Sequence, residues 1–225
     1  MILLPVKNLE NAKQRLSSVL SAPERTALAR AMLEDVLTRL GEWENCPSVS
    51  VVTSDPFALA LARSFEFEVI EESDSSGETE AIEHASRLCA AQGIGTTLVL
   101  PADIPLLQAR EVEAVLAAAP PEGAVLVPSY DGRGTNAVLR RPAELFPVTF
   151  GGDSFERHLA RARRTGKPCE VRRLPGIALD VDMPEDLARL LARPSAGFAA
   201  ETASRARALL QEWDVAERLQ PTASP

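Results

Sequence analysis

Leu98-Val-Leu-Pro-Ala-Asp-Ile-Pro-Leu-Leu107 decides how the rest of the chain is read. It opens as a short apolar strand without polar alternation, the pattern of a strand buried on both faces in the middle of a parallel sheet. Pro101 and Pro105 stop it, since proline has no N–H to give to a ladder. Asp103 then lies just past the carboxyl end of a central strand, where open α/β sheets place ligands. Position alone leaves two readings of Asp103: a cap for the following helix, or a group that meets a ligand.

Working outward, the amino-terminal half alternates strand and helix. Residues 2–6 form a first strand closed by Pro5-Val6-Lys7. A loop or frayed helix follows, carrying Lys7, Lys13 and Arg15. Three cations there fit either a solvated basic face or a grip on a triphosphate. Ser21-Ala-Pro-Glu24 has the form of a capping box with an early proline. Leu28, Met32, Val36, Leu37 and Leu40 follow at helical spacing up to Gly41. Strands are expected at 49–53 and 68–70, helices at 56–65, 79–91 and 110–118, and a polar loop at 71–77. This βαβ rhythm predicts right-handed crossovers and a largely parallel sheet.

Beyond residue 123 the rhythm changes. Residues 124–128 and 137–140 are short strands joined by the Gly-rich turn Ser129-Tyr-Asp-Gly-Arg-Gly-Thr-Asn136, which predicts an antiparallel excursion. Phe150-Gly-Gly-Asp-Ser-Phe155 opens a helix that runs to about Arg164. Its start reads either as an ordinary N-cap by Asp153 or Ser154, or as an anion site of free N–H groups at a positive helix end. His158, among Arg157, Arg161 and Arg163, reads as a surface residue. Residues 171–174 and 177–181 are expected as the last strands. On the latter, alternation would place Asp180 and Asp182 on one face. Two carboxylates there fit either a helix cap with a surface partner or a divalent-cation site that relieves their repulsion. The helix expected over 198–219 is amphipathic, suited to packing back on the domain or to joining a homodimer. Residues 220–225 are expected to be disordered. The domain plan is therefore a main domain over 1–193, a helical extension over 194–219 and a terminal tail.

Composition excludes several classes. The formal net charge of −8, from 24 basic and 32 acidic side chains, argues against non-specific nucleic-acid binding. Three cysteines, far apart and in no CxxC pair, argue against a disulfide framework or a zinc site and suggest a reduced, cytoplasmic protein. No apolar run reaches the ~18 residues of a membrane span, and no leader pattern is present. There is no P-loop, no GxGxxG after the first strand and no Ser-His-Asp arrangement. What remains is three aspartates at separate strand ends, a basic loop and a Gly-Gly-Asp-Ser helix start. Together they suggest phosphate chemistry with magnesium, a hard cation content with few protein carboxylates.

Pro5-Val-Lys7, Ala12-Lys13, Arg15-Leu16, Leu100-Pro-Ala-Asp-Ile-Pro105, Asp131-Gly-Arg-Gly-Thr-Asn136, Phe150-Gly-Gly-Asp-Ser-Phe155 and Leu179-Asp-Val-Asp-Met-Pro-Glu-Asp186 stand in an order that resembles one family. These are the 2-phospho-L-lactate / phosphoenolpyruvate guanylyltransferases of coenzyme F-420 biosynthesis, and the resemblance spans about residues 1–191. It implies a Rossmann-like, mostly parallel mixed sheet flanked by helices, the glycosyltransferase-A-like nucleotide-diphospho-sugar transferase fold, related to the enzyme that attaches GMP to molybdopterin. It implies an enzyme that moves GMP from GTP onto the phosphate of a phosphorylated three-carbon acid and releases pyrophosphate. Carried over motif by motif, Asp103, Asp180 and Asp182 would hold Mg2+ and, with Lys13, form the catalytic group. Thr135, Asn136, Gly151 and Ser154 would bind the acceptor; Lys7, Lys13 and Arg15 would bind GTP. Many members have a Leu-Asn-Ala-Ala segment near the guanine, where this chain has Gly77-Glu-Thr-Glu-Ala-Ile82. Two alternatives stay open: the same fold acting on molybdopterin or a sugar phosphate, and a non-catalytic nucleotide-binding regulator. The choice among phosphoenolpyruvate, 2-phospho-L-lactate and 3-phosphoglycerate is open too.

Overall fold

The computed structural model describes residues 1–72, 77–192 and 204–219. Part of the expected 71–77 loop, the start of the extension helix, the 193/194 boundary and the 220–225 tail lie outside these residues. Seven strands form one sheet: β1 (Ile2–Val6), β2 (Val49–Thr53), β3 (Glu68–Glu71), β4 (Thr97–Val99), β5 (Gly123–Pro128), β6 (Thr135–Arg141) and β7 (Cys169–Val171). Their order is β3-β2-β1-β4-β6-β5-β7. β1 to β4 run parallel, β6 is antiparallel to both neighbours, and β7 is again parallel to β5. The expected antiparallel excursion is therefore a single strand inserted into an otherwise parallel sheet.

Helices cover both faces. α1 (Ala22–Gly41), α2 (Pro56–Ser64) and α4 (Ala109–Ala117) bury Leu33, Val36, Ala58 and Val112 against one face of the sheet. α3 (Glu78–Ala91) and α5 (Ser154–Arg164) bury Ile82, Ala85 and Ala162 against the other. α1 starts as its sequence predicts, with Ser21 and Glu24 forming a capping box and Pro23 in the first turn.

The carboxyl-terminal part departs from expectation. Residues 177–181 are not a strand: α6 (Pro175–Ala178) is a single helical turn, and residues 179–183 run as irregular chain into α7 (Pro184–Ala192). Pro175 presets the φ of a first helical turn, so the apolar run after it is helical rather than extended. The last strand is β7, two residues earlier than expected and three residues long. α8 (Arg205–Glu212) and α9 (Val215–Arg218) pack Ala206, Leu210 and Val215 against Leu28, Met32 and Leu190, which forms a third cluster behind α1. Among the described residues no helix is long and apolar enough to cross a membrane.

Candidate active site

β4 and β1 pair up to Leu3 and Val99, and Leu100 still donates to the Leu3 carbonyl at 3.0 Å before Pro101 ends the ladder. The chain then turns across the carboxyl end of the sheet. Asp103 does not cap α4, whose N-cap is Gln108. It faces the segment that follows α6, because the Val181 amide donates to the Asp103 carbonyl at 3.1 Å. That backbone bond brings Asp180 and Asp182 to the mouth of β4. Asp180 and Asp182 do not cap α7 either: Asp186 turns back and accepts from the Asp182 and Met183 amides at 3.1 and 2.9 Å.

The three aspartates border one cleft of about 680 Å³ at the carboxyl ends of β1 and β4. Lys13 reaches in from the loop after β1, in the left-handed region at φ 57°. Its Nζ lies 2.6 Å from Asp103 Oδ2 and 2.7 Å from Asp182 Oδ1. Burial alone would lower the Lys13 pKa, but the two carboxylates outweigh it and push it up. Asp182 shifts down in return, the nearby ammonium overcoming its own burial. Asp180 behaves differently. Burial, then the charge of Asp103, raise its pKa to about 6, moderated by the bond from Asn136.

β6 builds the opposite wall with a bulge. Val127 pairs with Ala137 but Pro128 pairs with Thr135, so Asn136 is the extra residue. The usual alternation slips there. Ala137 and Leu139 face the α1 side, while Thr135 meets α5, with His158 Nδ1 at 2.9 Å and Ser154 Oγ at 3.3 Å from its hydroxyl. Asn136 points the other way. Its amide nitrogen donates to the Ile177 and Ala178 carbonyls at 3.0 and 3.1 Å and to Asp180 Oδ1 at 2.9 Å. Asn136 thus holds the Asp180 segment in place, in addition to lining the cleft.

The Gly-Gly-Asp-Ser turn comes next. Gly151 has φ 101°, which excludes a side chain there at low cost. Asp153 does not cap α5; its carboxylate pairs with Arg133 Nε at 2.8 Å. The first amides of α5 therefore carry no side-chain cap from Asp153. Ser154 is buried with its hydroxyl toward Thr135. Gly134 lies so close to Ser129 that an added Cβ would stand 2.9 Å from its Oγ.

Of the residues read from sequence, Asp103, Arg15, Thr135, Asn136, Gly151, Ser154, Asp180 and Asp182 line the cleft, and Lys13 lies between two of them. Lys7 does not line the cleft; it pairs with Glu72 Oε2 at 2.7 Å, and its charge acts on Glu78. His158 is wholly buried rather than on the surface. Glu78 was not singled out by the sequence. It opens α3 at the cleft, and burial followed by Asp103 raises its pKa to about 7. His158 had a readable signal: it lies four residues after Ser154, hence on the same helix face.

A metal ion is testable against the donor set. Among the described residues no three carboxylate, imidazole or thiolate groups are arranged to chelate one ion as they stand. Yet Asp103 Oδ1 is buried without a hydrogen-bond partner, and Asp180 is held beside like charge. Hard oxygen donors in that condition suit magnesium.

Residues 1–206 match the family described as guanylyl transferase CofC like. The chain is 35% identical over 215 residues to the phosphoenolpyruvate guanylyltransferase of Conexibacter woesei, covering 93% of this chain and 96% of that one. It is 31% identical over 223 residues to the 2-phospho-L-lactate guanylyltransferase of Methanothermobacter thermautotrophicus, covering 99% and 98%. In fold it is similar to a crystal structure from Desulfovibrio desulfuricans G20 described as a nucleotide-diphospho-sugar transferase. The TM-score is 0.78 at 19% identity, covering 96% of each chain.

Proposed function

The chain belongs to the CofC-like guanylyl transferase family, and we propose that it moves GMP from GTP onto the phosphate of phosphoenolpyruvate or 2-phospho-L-lactate, in coenzyme F-420 biosynthesis. The observation that carries this reading is the convergence of Asp103, Asp180 and Asp182 with Lys13 on one side of the cleft, facing the Thr135–Ser154 hydroxyl pair.

An oxygen of the acceptor phosphate attacks the α-phosphorus of GTP. A new phosphoanhydride forms, the α–β bridging bond breaks, and pyrophosphate leaves. The acceptor's second pKa is near ~6, so at neutral pH it is mostly dianionic and needs no base to remove a proton. The chain's work is therefore positioning and charge neutralisation. Thr135, Ser154 and the Gly151 turn at the start of α5 hold the acceptor phosphate, using hydroxyl donors and a positive helix end. Lys13 and Arg15 face the nucleotide phosphates. Asp103, Asp180 and Asp182 are the residues that would hold magnesium. Bound there, magnesium supplies charge neutralisation of phosphate oxygens.

The test is purified protein with GTP, magnesium and, in turn, phosphoenolpyruvate, 2-phospho-L-lactate and 3-phosphoglycerate, with products identified by mass. A guanosine diphosphate-linked acid and pyrophosphate are expected with one of the first two. Absence of any nucleotide-linked product overturns the reading.

A further inference from the structure

His158 is buried to 0% exposure one turn inside α5, and its ring is fixed on both edges. Phe150 packs edge-on at 5.6 Å between centroids and Phe146 lies at 6.4 Å. The Thr149 backbone amide approaches Nε2 at 2.9 Å. A backbone amide can only donate, so Nε2 carries a lone pair. In a neutral imidazole the proton must then reside on Nδ1. Nδ1 lies 2.9 Å from Thr135 Oγ1 and therefore donates to it. Burial, then the charges of Arg161, Arg140 and Arg157, hold the His158 pKa down to about 4, in keeping with a ring that stays neutral.

The consequence falls on the hydroxyl pair. Thr135 and Ser154 have two hydroxyl protons between them, and their mutual contact at 3.3 Å uses one. Because His158 supplies the proton of its own contact, the second hydroxyl proton remains for the cleft. With the opposite tautomer, Thr135 would have to donate to the ring. The cleft would then meet a lone pair, which repels a phosphate.

We propose that His158 is a positioning residue that fixes the Thr135–Ser154 pair as a hydrogen-bond donor toward the acceptor's phosphate. This rests on the reading that the pair holds that phosphate. His158 touches no substrate atom. Its effect is on the acceptor and not on the nucleotide, whose phosphates face Lys13 and Arg15 across the cleft.

Two substitutions divide the ring's two contacts. His158→Gln can keep an acceptor near Nε2 for the Thr149 amide while losing the Nδ1 donor. His158→Asn can keep a donor near Nδ1 while losing the Thr149 contact. With phosphoenolpyruvate as acceptor, H158Q should raise the acceptor KM by about tenfold, the scale of one hydrogen bond to a charged group. The kcat and the KM for GTP should stay within about twofold, as expected where uniform binding is lost. H158N should stay within about threefold of wild type on every parameter. In a Thr135→Val background, H158Q should add nothing further.

An unchanged acceptor KM in folded H158Q, equal impairment in H158N, or full additivity with T135V each overturns the proposal. A second measurement is independent of turnover. The chain has two histidines, so long-range proton–nitrogen spectra of the wild-type protein show two imidazoles. The buried one should be neutral with its proton on Nδ1 at pH 7; a proton on Nε2 overturns the proposal even if H158Q does not fold. A wild-type protein inactive with every acceptor defeats the functional reading, whereas activity with the wrong tautomer defeats only this one.

Discussion

Lys13 and Asp182 illustrate what single residues decide in this cleft. The ammonium bridges Asp103 and Asp182 and keeps both anions tolerable at close range. Asp182→Asn removes one carboxylate from the site but leaves Lys13 its bond to Asp103. Turnover should fall at least about a hundredfold, the scale of losing a preorganised electrostatic group. The thermal midpoint should stay within a few degrees, and an active D182N enzyme in a pyrophosphate-release assay would remove Asp182 from the site. His158 supports a second prediction, on stability. Its folded pKa, about 4, is depressed from 6.5, so the unfolded chain binds the proton first as pH falls. The stabilisation is complete above pH 6.5 and is lost as pH drops towards 4. At about 1.4 kcal/mol per pH unit, wild type should lose roughly 2 kcal/mol more than H158Q between pH 7 and pH 5. Urea unfolding of both proteins at the two pH values checks this, and parallel pH dependence would contradict it.

Among elements, the bulge in β6 and the docking of α8 matter most. Without the extra residue at Asn136, Thr135 would share the face of Ala137 and Leu139 and could not reach α5. α8 is anchored from α1: Asp35 accepts from the Arg205 and Ala206 amides at 2.7 and 3.0 Å and from the Ser204 hydroxyl at 2.7 Å. It thus serves as a helix N-cap borrowed from a distant element. Burial raises the Asp35 pKa, with those three donors working against it. Asp35→Ala should cost about 2 kcal/mol, combining a lost cap with buried donors left unpaired. In a chain of this length that lowers the thermal midpoint by about 4–8 °C. An unchanged midpoint in a calorimetric scan would show that α8 docks by its apolar face alone.

For the whole molecule, the third hydrophobic cluster joins α8 and α9 to α1 and α7. Ala206, Leu210 and Val215 cover Leu28, Met32 and Leu190. Leu210 and Val215 alone represent about 3–6 kcal/mol of burial. Ending the chain after Ala192 should therefore lower the midpoint by more than about 10 °C or leave the protein insoluble, since it also uncovers an apolar surface. A truncated chain as stable as the full one would make residues 204–219 a separate attachment. The net charge of −8 is a property of the whole chain, whereas Lys13 and Arg15, the cations proposed to face phosphate, belong to one loop at the cleft.

Much of this was legible beforehand because it is written in local patterns. An apolar run marks β1 and an apolar run ended by proline marks β4, helical spacing and a capping box mark α1, and the change of rhythm after residue 123 marks the antiparallel strand. The ordered motifs likewise name the residues that border the cleft. Residues 177–181 misled, because an apolar run of five looks alike in a strand and in a proline-led helical turn. Lys13 between two aspartates, the slip at Asn136 and the Val181–Asp103 bond had no sequence mark. Each depends on segments tens of residues apart meeting at one sheet edge. Periodicity within a segment reports which face is apolar, whereas register and the partners of a buried polar group are set only when the segments pack.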